Sequence, residues 1–198
     1  MILEQMQLGA EVRDDDFNAI YPSKFRKIAR FHFTPVEVAK VAAAYLVDKP
    51  GTRVLDVGSG AGKFCMVGAA CTEGHFTGVE QRKNLHRLAI NVSTKLGVER
   101  VDFIHSNILG IDFGAYDAIY YFNSFFENIA PLSAIDQALA LDKSLYTQYT
   151  QYMHEQLDKM SSGTRLVTYF SFLDEIPDSY KIKAANFDLK LKCWEKAA

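Results

Sequence analysis

Cysteine is scarce: three residues in 198, none of them in a C-x-x-C pair. That odd, scattered set excludes a disulfide framework and a thiolate zinc site. Cys65, Cys71 and Cys193 read instead as buried, reduced thiols of a cytoplasmic protein. The five histidines, His32, His75, His86, His105 and His154, show no ligand spacing, so no metal site is expected. No run of about 18 apolar residues is present to span a bilayer. The first residues lack a basic stretch followed by an apolar one, so no signal peptide is expected. An excess of one charge is missing too. The 22 basic and 24 acidic residues leave a net charge of -2, which gives no evident nucleic-acid face. Repeats and low-complexity segments are absent. With 48% hydrophobic and 23% charged residues, the chain reads as one domain spanning residues 1–198, large enough to bury its own core.

What is present begins at Arg53-Val54-Leu55-Asp56-Val57, an apolar run of strand type. A turn, Gly58-Ser59-Gly60-Ala61-Gly62, follows, and then a helix-type run from Lys63 to Cys71. Glycine accepts positive φ and lets a ligand come close to the backbone. A helix start adds unpaired N–H groups and the positive end of a dipole. The spacing selects the ligand. The dinucleotide pattern G-x-G-x-x-G/A fails at Lys63. The P-loop pattern fails at Val57 and at Phe64. What remains is Asp56-x-Gly58-x-Gly60-x-Gly62.

That pattern resembles motif I of the class I S-adenosylmethionine-dependent methyltransferases. The resemblance implies a three-layer Rossmann-like α/β fold of about seven strands, mostly parallel, the last antiparallel. It implies S-adenosylmethionine as cofactor. Gly58, Ser59, Gly60 and Gly62 would wrap its methionine part, and Asp56 would help hold its ammonium, often through water. Phe76 to Glu80 reads as the next strand. Glu80 stands 22 residues after Gly58, close to the ~20 expected for a carboxylate that grips a ribose diol, and Gln81 follows beside it. A third strand runs from Val101 to Ile108. At its end the family carries an acid for the adenine amine; here stands Asn107, whose amide oxygen can still accept, and the Ile108 N–H would meet the ring.

The fourth strand, Tyr116 to Phe122, ends in Asn123-Ser124-Phe125-Phe126. Ligands of open α/β sheets sit beyond the strands' carboxyl ends where strand order reverses, so Asn123 should face the transferable methyl group. This tetrad resembles the Asn/Asp-Pro-Pro-Tyr/Phe motif of amine methyltransferases, though both prolines are missing. A Thr-Pro helix start before the first strand adds a resemblance to the Dot1-like lysine methyltransferases. Both imply that Asn123 is catalytic and orients a target amine.

The other elements follow from periodicity. Residues 1–34 read as short helices that flap or lid the sheet, with Asp14-Asp15-Asp16 starting one of them. Residues 35–198 form the core. Thr34 with Glu37 makes a capping box for a helix from Pro35 to Leu46. Arg82 to Leu96 is helical, closed by Gly97. Ser133 to Met160 reads as one long helix or two, with a tyrosine stripe that includes Tyr149. The fifth strand is Thr164 to Ser171. Tyr180–Ala184 and Phe187–Trp194 alternate with period two and should pair as a terminal hairpin.

Three uses of such a site stay open: methyl transfer to an amine of a protein or small molecule, O- or C-methylation of a metabolite in a pocket of Phe33, Tyr121, Phe122, Phe125 and Phe126, and non-catalytic cofactor binding. No histidine or carboxylate stands out as a general base, which favours an amine deprotonated on binding; His32 is a candidate to touch ligand. The sequence names neither the acceptor nor an oligomeric state.

Overall fold

The computed structural model describes residues 2–198. Its frame is a seven-stranded sheet in the order β3-β2-β1-β4-β5-β7-β6. The strands are β1 Arg53–Val57, β2 His75–Glu80, β3 Val101–His105, β4 Ala118–Tyr121, β5 Arg165–Tyr169, β6 Tyr180–Asn186 and β7 Leu191–Lys196. β1 to β5 pair in parallel. β7 inserts antiparallel between β5 and β6.

Alternation along the central strands sorts two cores. Val54, Ala118 and Tyr120 face one side, against helices α4 Val36–Leu46, α5 Lys63–Cys71 and α6 Lys83–Leu96. Leu55, Val57, Ile119 and Tyr121 face the other, against α7 Lys143–Lys159. On the first side Phe64 stacks on Tyr120, with ring centroids 3.8 Å apart and planes 11° from parallel.

The short helices α1 Ile2–Gln7, α2 Asp14–Asn18 and α3 Ser23–His32 add Leu3, Phe17 and Phe25 to the first core, and the link between α2 and α3 adds Tyr21. They are also bonded to the glycine turn. The Tyr21 hydroxyl donates to the Ala61 carbonyl at 3.2 Å. Lys63, 2% exposed, reaches Asp14 at 2.5 Å and Asn18 at 2.9 Å. Burial pulls the Lys63 pKa down while Asp14 holds it up. The Asp14 carboxylate also accepts the Val36 N–H at 3.0 Å and so caps α4 from a distance. A buried charge left alone costs far more than a solvated one. Asp14→Ala should therefore cost about 3 kcal/mol in urea unfolding, and Lys63→Met clearly less, because Asp14 can then rehydrate. Equal costs would remove this pair from the account.

Several local expectations are corrected. The α4 capping box does not form: the helix starts at Val36 with no cap from its own N-terminal side chains, and the Thr34 hydroxyl pairs instead with that of Tyr120 at 2.9 Å. Ser133–Met160 is helical only from Lys143. Asp142 caps that start through the Ser144 N–H at 2.7 Å, and Asp136 is drawn away to Arg82 and Asn84. Phe187 and Leu189 lie outside strand β7; with Asp188 they form a turn of positive φ, at 52°, 55° and 65°. Of that expected buried face only Leu191 and Cys193 are inside. Cys71 is exposed, whereas Cys65 and Cys193 are buried; all three are free. Among the described residues no helix is long and apolar enough to cross a membrane.

Candidate active site

Sequence order runs outward from β1 to β3 and then returns to β4, so the order reverses between β1 and β4. At that reversal, beyond the carboxyl ends of β1 to β4, lies a cavity of about 610 Å³. This is within the roughly 300–1,000 Å³ of small-molecule sites.

The β1 end supplies Gly58 and Gly60 to its wall. Gly58 has φ +76°, and a Cβ there would stand 2.5 Å from the Ser124 Cβ. The turn is held by Gly58 and Ser59 N–H groups that donate to the Val79 carbonyl at 3.0 and 2.9 Å. β2 ends in Glu80, 5% exposed. Its Oε2 accepts the Gly60 N–H at 3.0 Å and its Oε1 the Arg82 N–H at 2.6 Å. Burial raises the Glu80 pKa, and these two donors oppose the rise. Each of its oxygens keeps a second lone pair. Glu80 thus ties the glycine turn to β2 while it lines the cavity.

Asn107 follows β3. Its amide oxygen accepts the Leu109 N–H at 3.0 Å, and its amino group donates to Gln81 at 3.2 Å and to the Tyr149 hydroxyl at 2.8 Å. Gln81, Asn107, Ile108 and Tyr149 form one continuous polar and apolar rim. After β4 comes Asn123, on the wall with φ 42°. Asparagine tolerates that left-handed conformation better than most residues. Among the described residues no group bonds to its side-chain amide, while its carbonyl accepts the Phe126 N–H at 3.1 Å.

Residues 48–196 match the family model described as a methyltransferase domain. This chain belongs to that methyltransferase family. Among curated proteins none matches the sequence. Solved structures share the fold. An RNA methyltransferase from Salinibacter ruber, in complex with S-adenosyl-L-homocysteine, is 18% identical over 89% of this chain and 94% of its own, with a TM-score of 0.52. TrmN from Thermus thermophilus is 17% identical over 87% of this chain, with a TM-score of 0.61. The [4+2]-cyclase SpnF is 20% identical over 67% of it, with a TM-score of 0.53. The methyltransferase chain spans 52% of TrmN's length and 44% of the cyclase's. Identities this low carry the architecture alone, and a cyclase among these folds shows that architecture does not set the reaction. The fold is that of the class I methyltransferases, whose cofactor is S-adenosylmethionine.

The methyltransferase cavity brings together Gly58, Gly60, Glu80, Gln81, Asn107, Ile108 and Asn123. Asp56, Ser59 and Gly62 do not line it. Asp56 is 3% exposed beneath the turn, where Cys65 donates to it at 3.4 Å, and burial pushes its carboxyl up to about 7. Among the described residues no group bonds to the buried Ser59 hydroxyl. Gly62, φ +75°, starts α5, and a Cβ there would meet the Phe103 ring at 2.5 Å. Phe122, Phe125 and Phe126 line the cavity; Phe33 and Tyr121 are core.

One wall residue was assigned no role from the sequence. Arg82, 6% exposed, bonds to Glu127 and, at 2.9 Å, to Asp136. It joins the start of α6 to the loop after β4. A buried arginine requires carboxylates, but which ones are set only by the fold. Tyr149, read as one of a core stripe, bonds to Asn107. His32 lies on the same wall, and burial lowers its pKa, with Glu127 and Arg82 as the charged groups acting on it.

Proposed function

We propose that this protein transfers a methyl group from S-adenosylmethionine to an amine nitrogen. The reading is carried by Asn123. It stands at the β1–β4 reversal with an uncommitted amide, in the same cavity as the glycine turn and Glu80. The lining fits a nucleoside with an amino-acid tail: glycines that leave the backbone open, a carboxylate for a diol, and an amide rim for a base. Gly58 and Gly60 would take the tail, Glu80 the sugar, and Asn107, Ile108 and Tyr149 the adenine. When bound, the sulfonium supplies an electrophilic methyl carbon.

The protein's own task is then orientation. The Asn123 amide oxygen accepts an N–H of the amine and aims its lone pair. As the N–C bond forms, the C–S pair returns to sulfur. The amine must be neutral at that moment, and the wall offers His32, kept unprotonated by burial, to accept its proton.

Calorimetric titration with S-adenosylmethionine and with its demethylated product is the first test, and absence of binding at millimolar concentration ends this reading. Asn123→Ala should then lower turnover about 100-fold, the scale for a lost orienting hydrogen bond, while cofactor affinity changes little. Unchanged turnover removes Asn123 from the mechanism. Turnover should also fall with acid below the ordinary histidine range, because His32 must be neutral to accept a proton. His32→Gln should abolish that acid limb; a limb that persists assigns the proton elsewhere.

A further inference from the structure

The wall that carries Asn123 also holds Phe31, Phe122, Phe125, Phe126, Phe170 and Phe172, with the Glu127 carboxylate among them. Phe126 packs on Phe172 with centroids 5.6 Å apart, and Phe122 on Phe170 at 6.2 Å. Phe31 stands at the rim, 77% exposed. Two apolar residues on the strand connection above, Phe170 and Leu173, are held at φ 53° and 77°. Strain of this kind persists where the surroundings impose it, and it clusters at ligand sites.

The carboxylate is Glu127, with only 13% of its side chain exposed. Its Oε2 accepts from Arg82. Among the described residues no group donates to its Oε1. Arg82 cannot neutralise the region alone, since its single charge acts against Glu80, Glu127 and Asp136 together. The wall around Asn123 is therefore short of positive charge, partly desolvated, and faced by aromatic rings.

We infer that Glu127 and the surrounding phenylalanine rings form a cation site, which takes the methyl acceptor as an alkylammonium. This rests on the amine-methyltransferase reading. An ammonium has three donors and no acceptor. One N–H goes to Glu127 Oε1 and one to the Asn123 amide oxygen. The third proton passes to the neutral His32 imidazole before methyl transfer. Ring faces attract the cation as well, and most strongly where water is excluded. The alkyl stem lies along the phenylalanines toward the open rim. A neutral alcohol of the same length gains the apolar contact but leaves the carboxylate without a counter-charge.

The test uses the full chain saturated with S-adenosyl-L-homocysteine and two small probes, n-butylammonium and 1-butanol, with dissociation constants read by ligand-observed NMR. The wild type should bind the ammonium at least about tenfold more tightly than the alcohol. Glu127→Gln should erase that preference and leave S-adenosyl-L-homocysteine affinity within about twofold. Asp136→Asn loosens the other partner of Arg82 but keeps the Glu127 charge, and it should retain the preference. Equal binding of the two probes by the wild type, or a preference that survives in Glu127→Gln, overturns the cation site while the cofactor site stands. Failure of the wild type to bind S-adenosyl-L-homocysteine overturns the methyltransferase reading, and this site with it.

Discussion

Gly58→Ala is expected to unfold the β1 turn and to end cofactor binding. Two costs coincide. The backbone sits at φ +76°, where an added Cβ clashes with its own chain. The same Cβ would stand 2.5 Å from the Ser124 Cβ, well inside contact distance. Ser124 cannot simply rotate away, because its hydroxyl donates to the Val57 carbonyl at 2.5 Å. Overpacking costs roughly 1–3 kcal/mol and the left-handed conformation about 1–2 kcal/mol more. The expected loss in urea unfolding is therefore about 3–4 kcal/mol, with calorimetry showing no residual S-adenosylmethionine binding. The double variant Gly58→Ala/Ser124→Gly separates the terms: it should recover the packing part and leave the backbone part. A single variant with near wild-type stability would show that the loop after β4 does not press on the turn.

The second large effect is a pH dependence set by Asp56. Burial is the first cause of its raised carboxyl pKa, which moves from 3.8 to about 7; the neighbouring Glu80 adds to the rise and the Cys65 bond opposes it. In the unfolded chain Asp56 ionises near 4, whereas in the folded chain it keeps its proton until about pH 7. Between those values the native state binds more protons, so stability must fall as pH rises, and it levels off above both. A gap of this size corresponds to about 4 kcal/mol at most. Asp56→Asn should flatten that stretch of the profile: the variant and the wild type should be alike near pH 4, and the variant more stable near pH 8. Denaturant midpoints across the range read this directly, and parallel profiles would mean that Asp56 is solvated. The same variant examines its expected role toward the cofactor. An ammonium held by Asp56 through water would favour the carboxylate, so affinity would rise with pH through 7 in the wild type and not in Asp56→Asn. Affinity independent of both pH and substitution would confine Asp56 to the support of the turn.

Much of the site was legible because its signals are local. Gly58, Gly60 and Gly62 all adopt positive φ, as their spacing implied. Glu80 ends β2 against the turn, and its bond to the Gly60 N–H joins the two halves of the expected signature. Asn107 and Asn123 follow β3 and β4 on one cavity wall, as the family resemblance implied for the first and the reversal of strand order for the second. The misread segments share a different cause. Thr34, the Ser133–Met160 segment that contains Asp136, and Phe187 each suit the local structure expected there. In the fold Thr34 meets Tyr120, Asp136 meets Arg82, and the chain reverses at Phe187. The first two demands come from residues distant in sequence, whereas the turn at Phe187 is local and is closed by the Lys190 N–H on the Phe187 carbonyl at 3.1 Å.

The resemblance to motif I implied the Rossmann-like order of the sheet, and period and glycine spacing by themselves determined the strand and helix segments and the glycine turn that follows the first strand. These are properties of short segments, where backbone freedom and the direction of side chains follow from neighbouring residues. Only the tertiary structure decided that Asp14 and Tyr21 brace the turn, that Asp56 lies sealed beneath it, and that Arg82 gathers Glu127 and Asp136. A buried charge takes its partner from whatever chain the packing brings near, and no local pattern specifies which chain that is.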